Sequence, residues 1–123
     1  MEVVYESKCV EGQCTNLSAA KKLVGGNESI ALALLAKVNL LEQAVNFKDV
    51  VVQPQLHFHA LSDKGRHKLA GCFAIDVKGR RCPWRLIIRP LDENHEPFTP
   101  CHIDEIAETV EVVNILEASK HYE

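Results

Sequence analysis

The sequence predicts an α+β fold, with an N-terminal strand and a helical hairpin packed on a twisted, mainly antiparallel sheet. Three observations predict it. Apolar residues recur at helical spacing over residues 17–45. From Val50 onwards the period changes to two, so successive side chains alternate between faces. Glycine, proline and short polar runs separate these stretches, with no internal repeat or linker. At 123 residues the chain is long enough for a two-layer core and suits a single domain over 1–123.

Each element has its own signal. Residues 2–6 alternate weakly and form a first strand. Thr15 or Asn16 can cap a helix that runs through Leu17, Ala20, Lys21 and Leu23, since a side-chain oxygen there accepts from first-turn N–H groups. Gly25 and Gly26 end it, because glycine accepts the left-handed geometry of a helix C-terminus. Asn27 caps the second helix, about residues 28–44, where Ile30, Leu34, Val38, Leu41 and Val45 share an apolar face. Pro54 lacks an N–H, so the strand read from Val50 is an edge strand or begins only after the proline. Beyond it Leu56, Phe58 and Ala60 take one face, and His57, His59 and Leu61 the other. Leu69, Gly71, Phe73, Ile75 and Val77 share a face of the next strand. A tight turn over 78–81 leads to a strand in which Trp84, Leu86 and Ile88 oppose Arg85, Ile87 and Arg89. Residues 92–97 form a polar loop, 104–107 a helical turn and 110–116 the last strand. Helices then cover one face of the sheet and leave the other for work.

Charge locates that work. Between residues 57 and 89, eight Lys and Arg stand against Asp63 and Asp76, a local balance of +6 in a chain of net charge −3. Residues 91–123 are the opposite, with nine acidic side chains against Lys120. Cations and histidines gathered on one hairpin suit an anion, and an extended phosphate backbone is the obvious one. The five cysteines have no metal-type pairing and are expected to be free thiols of a reducing compartment. No apolar run approaches the ~18–20 residues of a membrane span, and the first residues lack the basic start of a secretory signal. The expectation is a cytoplasmic protein with no membrane partner, metal or cofactor.

Several motifs carry a family resemblance. They are His59-Ala-Leu61, a basic stretch leading to Gly71, Phe73-Ala-Ile-Asp76, Trp84-Arg-Leu-Ile-Ile88 and the ending Ser119-Lys-His-Tyr-Glu123. In this order the chain resembles the RelE/ParE toxin superfamily, most closely its HigB-like plasmid-maintenance killer proteins. The resemblance covers nearly the whole length, and Ser62-Asp63 and His67-Lys68-Leu69 lengthen the basic turn relative to the family pattern. It implies a microbial-ribonuclease-like fold and the toxin of a type II toxin–antitoxin system. Such a toxin is an endoribonuclease (an mRNA interferase) that cleaves mRNA on the ribosome, restrained by a cognate helix-turn-helix antitoxin of HigA type. Other superfamily members poison DNA gyrase, so a non-nuclease toxin stays open, as does a degenerate member that only binds its partner.

Metal-free RNA cleavage needs a base for the 2′-hydroxyl, an acid for the leaving 5′-oxygen and cations around the phosphorane-like transition state. The resemblance assigns His59, Arg85, His121 and Tyr122 to catalysis. Arg85 matches the family's strand arginine, and a guanidinium binds phosphate oxygens in a fork. Its competing reading is an arginine paired with an acid on the sheet. On the free-face placement, truncating Arg85 should spare the core. His57, Lys64, Arg66, Lys68, Arg80, Arg81 and Arg89 are the expected RNA and phosphate contacts.

Overall fold

A serine and two asparagines set the starts of three consecutive helices in the computed structural model, which describes residues 1–61 and 71–120. Ser7 caps α1 (Lys8–Thr15) by accepting from the Val10 N–H. Asn16 caps α2 (Leu17–Leu23) through the Ala19 N–H, and Asn27 caps α3 (Glu28–Gln43) through the Ile30 N–H. Between α2 and α3 the chain reverses at Gly25 and Gly26, whose φ values of +70° and +87° favour glycine. The helices bury Val10 and Cys14, Ala20, and Ala31, Leu34, Val38 and Leu41 in turn. Two further short helices follow, α4 (Lys48–Val51) and α5 (Ile103–Ile106). Among the described residues, no helix is long and apolar enough to cross a membrane.

The strands are β1 (Glu2–Tyr5), β2 (His59–Ala60), β3 (Phe73–Asp76), β4 (Trp84–Leu91) and β5 (Val112–Lys120). They form one mixed sheet in the order β1-β5-β4-β3-β2. β1 runs parallel to β5, and every other neighbour is antiparallel. The β3–β4 hairpin sets Ala74 opposite Ile87 and Asp76 opposite Arg85. A register shift at Ile87/Ile88 divides the β4–β5 pairing, and beyond it Ser119 lies opposite Arg85 and Lys120 opposite Trp84. Phe73, Ile75, Val77, Trp84, Leu86, Ile88, Val113, Ile115 and Ala118 join the helices in the main core. Leu61, Cys72, Ala74 and Ile87 make a small second cluster, flanked by Leu116. Period-two alternation separates the two groups.

The α+β class and the alternation of the hairpin therefore hold, while several local expectations are corrected. The helical layer has α1 in front of the expected pair. Val50 does not begin a strand. It is buried in α4, a 3-10 turn follows at Pro54–Leu56, and pairing starts only at His59. The β-branched run 50–52 misled because Asn46 and Asp49 hold the local turn, accepting from the Lys48 and Val45 N–H groups. Val45 is 75% exposed, because α3 ends at Gln43 before the apolar stripe reaches it. The last strand extends to Lys120, four residues beyond the expected end.

An aromatic cluster joins the layers beneath the candidate site. The Phe47 ring is fully buried, edge-on to Phe58 at 5.6 Å and tilted against Phe73 at 6.1 Å. Its N–H donates to the Val110 carbonyl at 2.9 Å, tying the α4 region to the approach to β5. Phe47→Ala should lower unfolding free energy by about 3–5 kcal/mol, measured by urea denaturation. Burial also pushes the Cys14 thiol from 9.0 up to about 11. The neutral thiol is the form the fold favours. Its contribution is therefore complete below about pH 9 and lost as pH rises towards 11. Thermal melts should show this alkaline loss, and Cys14→Ala should reduce it over that window.

Candidate active site

On the face of the sheet turned away from the helices, a buried carboxylate gathers the candidate residues. Asp76 lies beside Ala74 and Arg85 on this face, and its side chain is fully buried. Arg85 Nε lies 3.0 Å from Asp76 Oδ1, a charge contact whose N–H is not aimed for a hydrogen bond. The rest of the guanidinium is turned inwards to the hairpin. Its Nη1 donates to the Cys82 and Trp84 carbonyls, and its Nη2 to the Arg80 carbonyl at 3.3 Å. Arg85 is thus a clamp on the turn over 79–82, with only 14% of its side chain exposed. This is the paired-arginine reading, and it corrects the expectation that truncation would spare the fold. Removing Arg85 would strand a buried carboxylate.

The two histidines meet here, though not as neighbours on one strand. His57 follows the 3-10 turn in the left-handed region, at φ 50° and ψ 46°. Histidine is among the few non-glycine residues enriched there. The twist places the His57 ring 4.8 Å from that of His59, at 37°. Phe58 between them points the opposite way and stacks on Phe73 at 4.8 Å. Packing of one residue thereby presents both imidazoles. His59 Nδ1 lies 2.8 Å from the His57 carbonyl oxygen. A carbonyl only accepts, so in neutral His59 the proton sits on Nδ1. His57 Nδ1 is 3.6 Å from Asp76 Oδ1.

The cations divide. Arg80 and Arg81 are exposed at the hairpin turn. Arg89 lies farther along β4, opposite Asn114, with its Nη2 3.6 Å from Glu6 Oε2. Asn114 also donates to Glu6 at 2.9 Å. Arg89 therefore belongs to a second polar group, separate from the histidines. Lys64, Arg66, Lys68, His121 and Tyr122 lie outside the described residues. Lys120 does reach this end of the sheet, its Nζ 5.4 Å from the centre of the Trp84 ring.

Sequence reasoning missed Asp76 as a site residue. Its alternation with Ile75 and its place one turn before Arg85 were the available signals. An open groove of about 630 Å³ at the far end of the sheet is lined by Glu2, Glu93 and Glu111, an acidic set that repels phosphate. Burial pushes the Cys72 and Cys101 thiols up, away from the thiolate a nucleophile requires. No group of three His, Cys, Asp or Glu suited to a metal occurs among the described residues. No family model, curated protein or solved structure matches this chain.

Two outcomes follow from this geometry. Arg85→Ala should destabilise the fold by about 3 kcal/mol, measured by urea denaturation, through the uncompensated Asp76 carboxylate. Phe58→Ala should broaden and shift the His57 and His59 ring resonances in NMR spectra at a temperature where the protein remains folded.

Proposed function

We propose that this protein is a HigB-like toxin of the RelE/ParE superfamily that cleaves mRNA on the ribosome without a metal. A cognate helix-turn-helix antitoxin restrains it in the cytoplasm. The observation that carries the reading is the pair of imidazoles 4.8 Å apart beside a basic hairpin, on the face of the sheet turned away from the helices. One imidazole accepts the 2′-hydroxyl proton while that oxygen attacks phosphorus. A second group protonates the departing 5′-oxygen, giving a 2′,3′-cyclic phosphate and a 5′-hydroxyl. Exposed Arg80 and Arg81 flank the turn and suit the strand's phosphates. The order of the motifs from His59 to the C-terminus supports the family assignment and the microbial-ribonuclease-like form of the fold. His121 and Tyr122 remain assigned to catalysis on that resemblance.

A second reading has its own support. The inward commitment of Arg85 leaves little of its guanidinium for phosphate, which favours a non-nuclease toxin or a partner-binding module. Inducing the chain without its antitoxin and sequencing transcript 5′ ends separates the two. The nuclease reading expects growth arrest with new, translation-dependent 5′-hydroxyl ends, and a loss of about 10²-fold or more in His59→Gln. Arrest with intact transcripts would replace it by the non-nuclease reading.

A further inference from the structure

Three buried polar side-chain atoms at this site make no hydrogen bond: His57 Nδ1, Asp76 Oδ1 and Asp76 Oδ2. Leaving such atoms unpaired costs about 1–3 kcal/mol each, more for a charge. Nδ1 and Oδ1 are 3.6 Å apart, a few tenths of an ångström beyond a hydrogen bond. Catalytic hydrogen bonds are often long before substrate binds and tighten in the complex. We infer that Asp76 is a positioning residue that holds His57 in its Nδ1–H tautomer, making His57 Nε2 a proton-transfer atom of the site. This inference rests on the nuclease reading for the identity of the reaction, and on the geometry alone for the dyad.

Orientation supports the assignment. The His57 side chain is 39% exposed while its Nδ1 is buried, so solvent reaches the ring through atoms other than Nδ1. The left-handed backbone at His57 turns the ring towards Asp76 instead of continuing strand alternation. A carboxylate that only accepts selects the Nδ1–H form and stabilises positive charge as it develops on the ring. Arg85 on β4 holds the same oxygen at 3.0 Å and fixes the carboxylate. The His59 ring on β2 lies 4.8 Å from that of His57, so the charged or titratable neighbours described around His57 are Asp76, Arg85 and His59. His57 and His59 are the two imidazoles that the described residues bring to this site.

The test begins with the folded wild-type protein and no RNA. Long-range ¹H–¹⁵N NMR correlations distinguish the two neutral tautomers of each histidine. His57 is expected in the Nδ1–H form, and the Nε2–H form would overturn the inference. In Asp76→Ala, the neutral His57 ring is expected to shift towards Nε2–H; an unchanged tautomer in that folded variant would likewise overturn it. Should Asp76→Ala not fold, the wild-type ring decides alone. Cleavage assays then read proton transfer. His57→Gln and Asp76→Asn should each lose about 10²-fold in kcat, and the double variant should lose little beyond either single, since the two act as a unit. Wild-type cleavage by His57→Gln would remove His57 from proton transfer. A wild-type protein that shows the Nδ1–H tautomer but cleaves no RNA would uphold the positioning and reject the nuclease reading.

Discussion

The organisation of the working face depends on one electrostatic constraint: the Asp76 carboxylate has no solvent contact. A buried carboxylate requires a counter-charge, because desolvation alone costs several kcal/mol. Arg85 lies directly opposite on the hairpin and supplies it. In reaching Asp76, Arg85 also crosses the turn and ties down two of its carbonyls, Arg80 and Cys82, and the Trp84 carbonyl at the start of β4. One guanidinium therefore closes the hairpin, neutralises the carboxylate and sets the place where His57 can meet it. The apolar cluster of Leu61, Cys72, Ala74 and Ile87 provides a dry floor next to this group, which strengthens charge contacts by excluding water.

The histidines reach the same place by packing on the opposite side. Phe58 is held between Phe47 and Phe73, and residues adjacent to it in sequence are forced outward. Because Phe47 also bonds to the chain entering β5, the helical layer and the sheet jointly position a two-residue strand that has little pairing of its own. A short edge strand held mainly by side-chain packing is easily displaced, so the site's geometry is only as firm as this aromatic cluster.

Much of this was legible in the sequence where a signal was local. Asn16 and Asn27 marked caps, Gly25-Gly26 marked a reversal, and the alternation from Trp84 to Arg89 assigned both faces of β4 correctly. Failures arose where tertiary context overrode a local pattern. The α1 segment contains Gly12 and buries only Val10 and Cys14, too weak a stripe to show as a helix. The valines 50–52 look like a strand, yet only Val50 is buried. The end of β5 was invisible because Glu117 and Ser119, opposite Ile87 and Arg85 on the face away from the helices, break the apolar count. At the site, His59 and Arg85 were named from sequence and are brought to one end of the sheet, but the commitment of Arg85 to Asp76 requires the cross-strand register. Left-handed backbone at His57 likewise has no sequence signature.

The central claim is that the Asp76–Arg85 pair, made on folding, organises this end of the sheet. A double-mutant cycle in urea denaturation, with Asp76→Leu, Arg85→Met and the double variant, tests it most directly. Each single change leaves one member of a largely buried pair uncompensated, whereas the double replaces both with apolar side chains. The account predicts a coupling energy on the order of 2–3 kcal/mol, with the double variant more stable than either single. Additive losses, with coupling below about 0.5 kcal/mol, would contradict it.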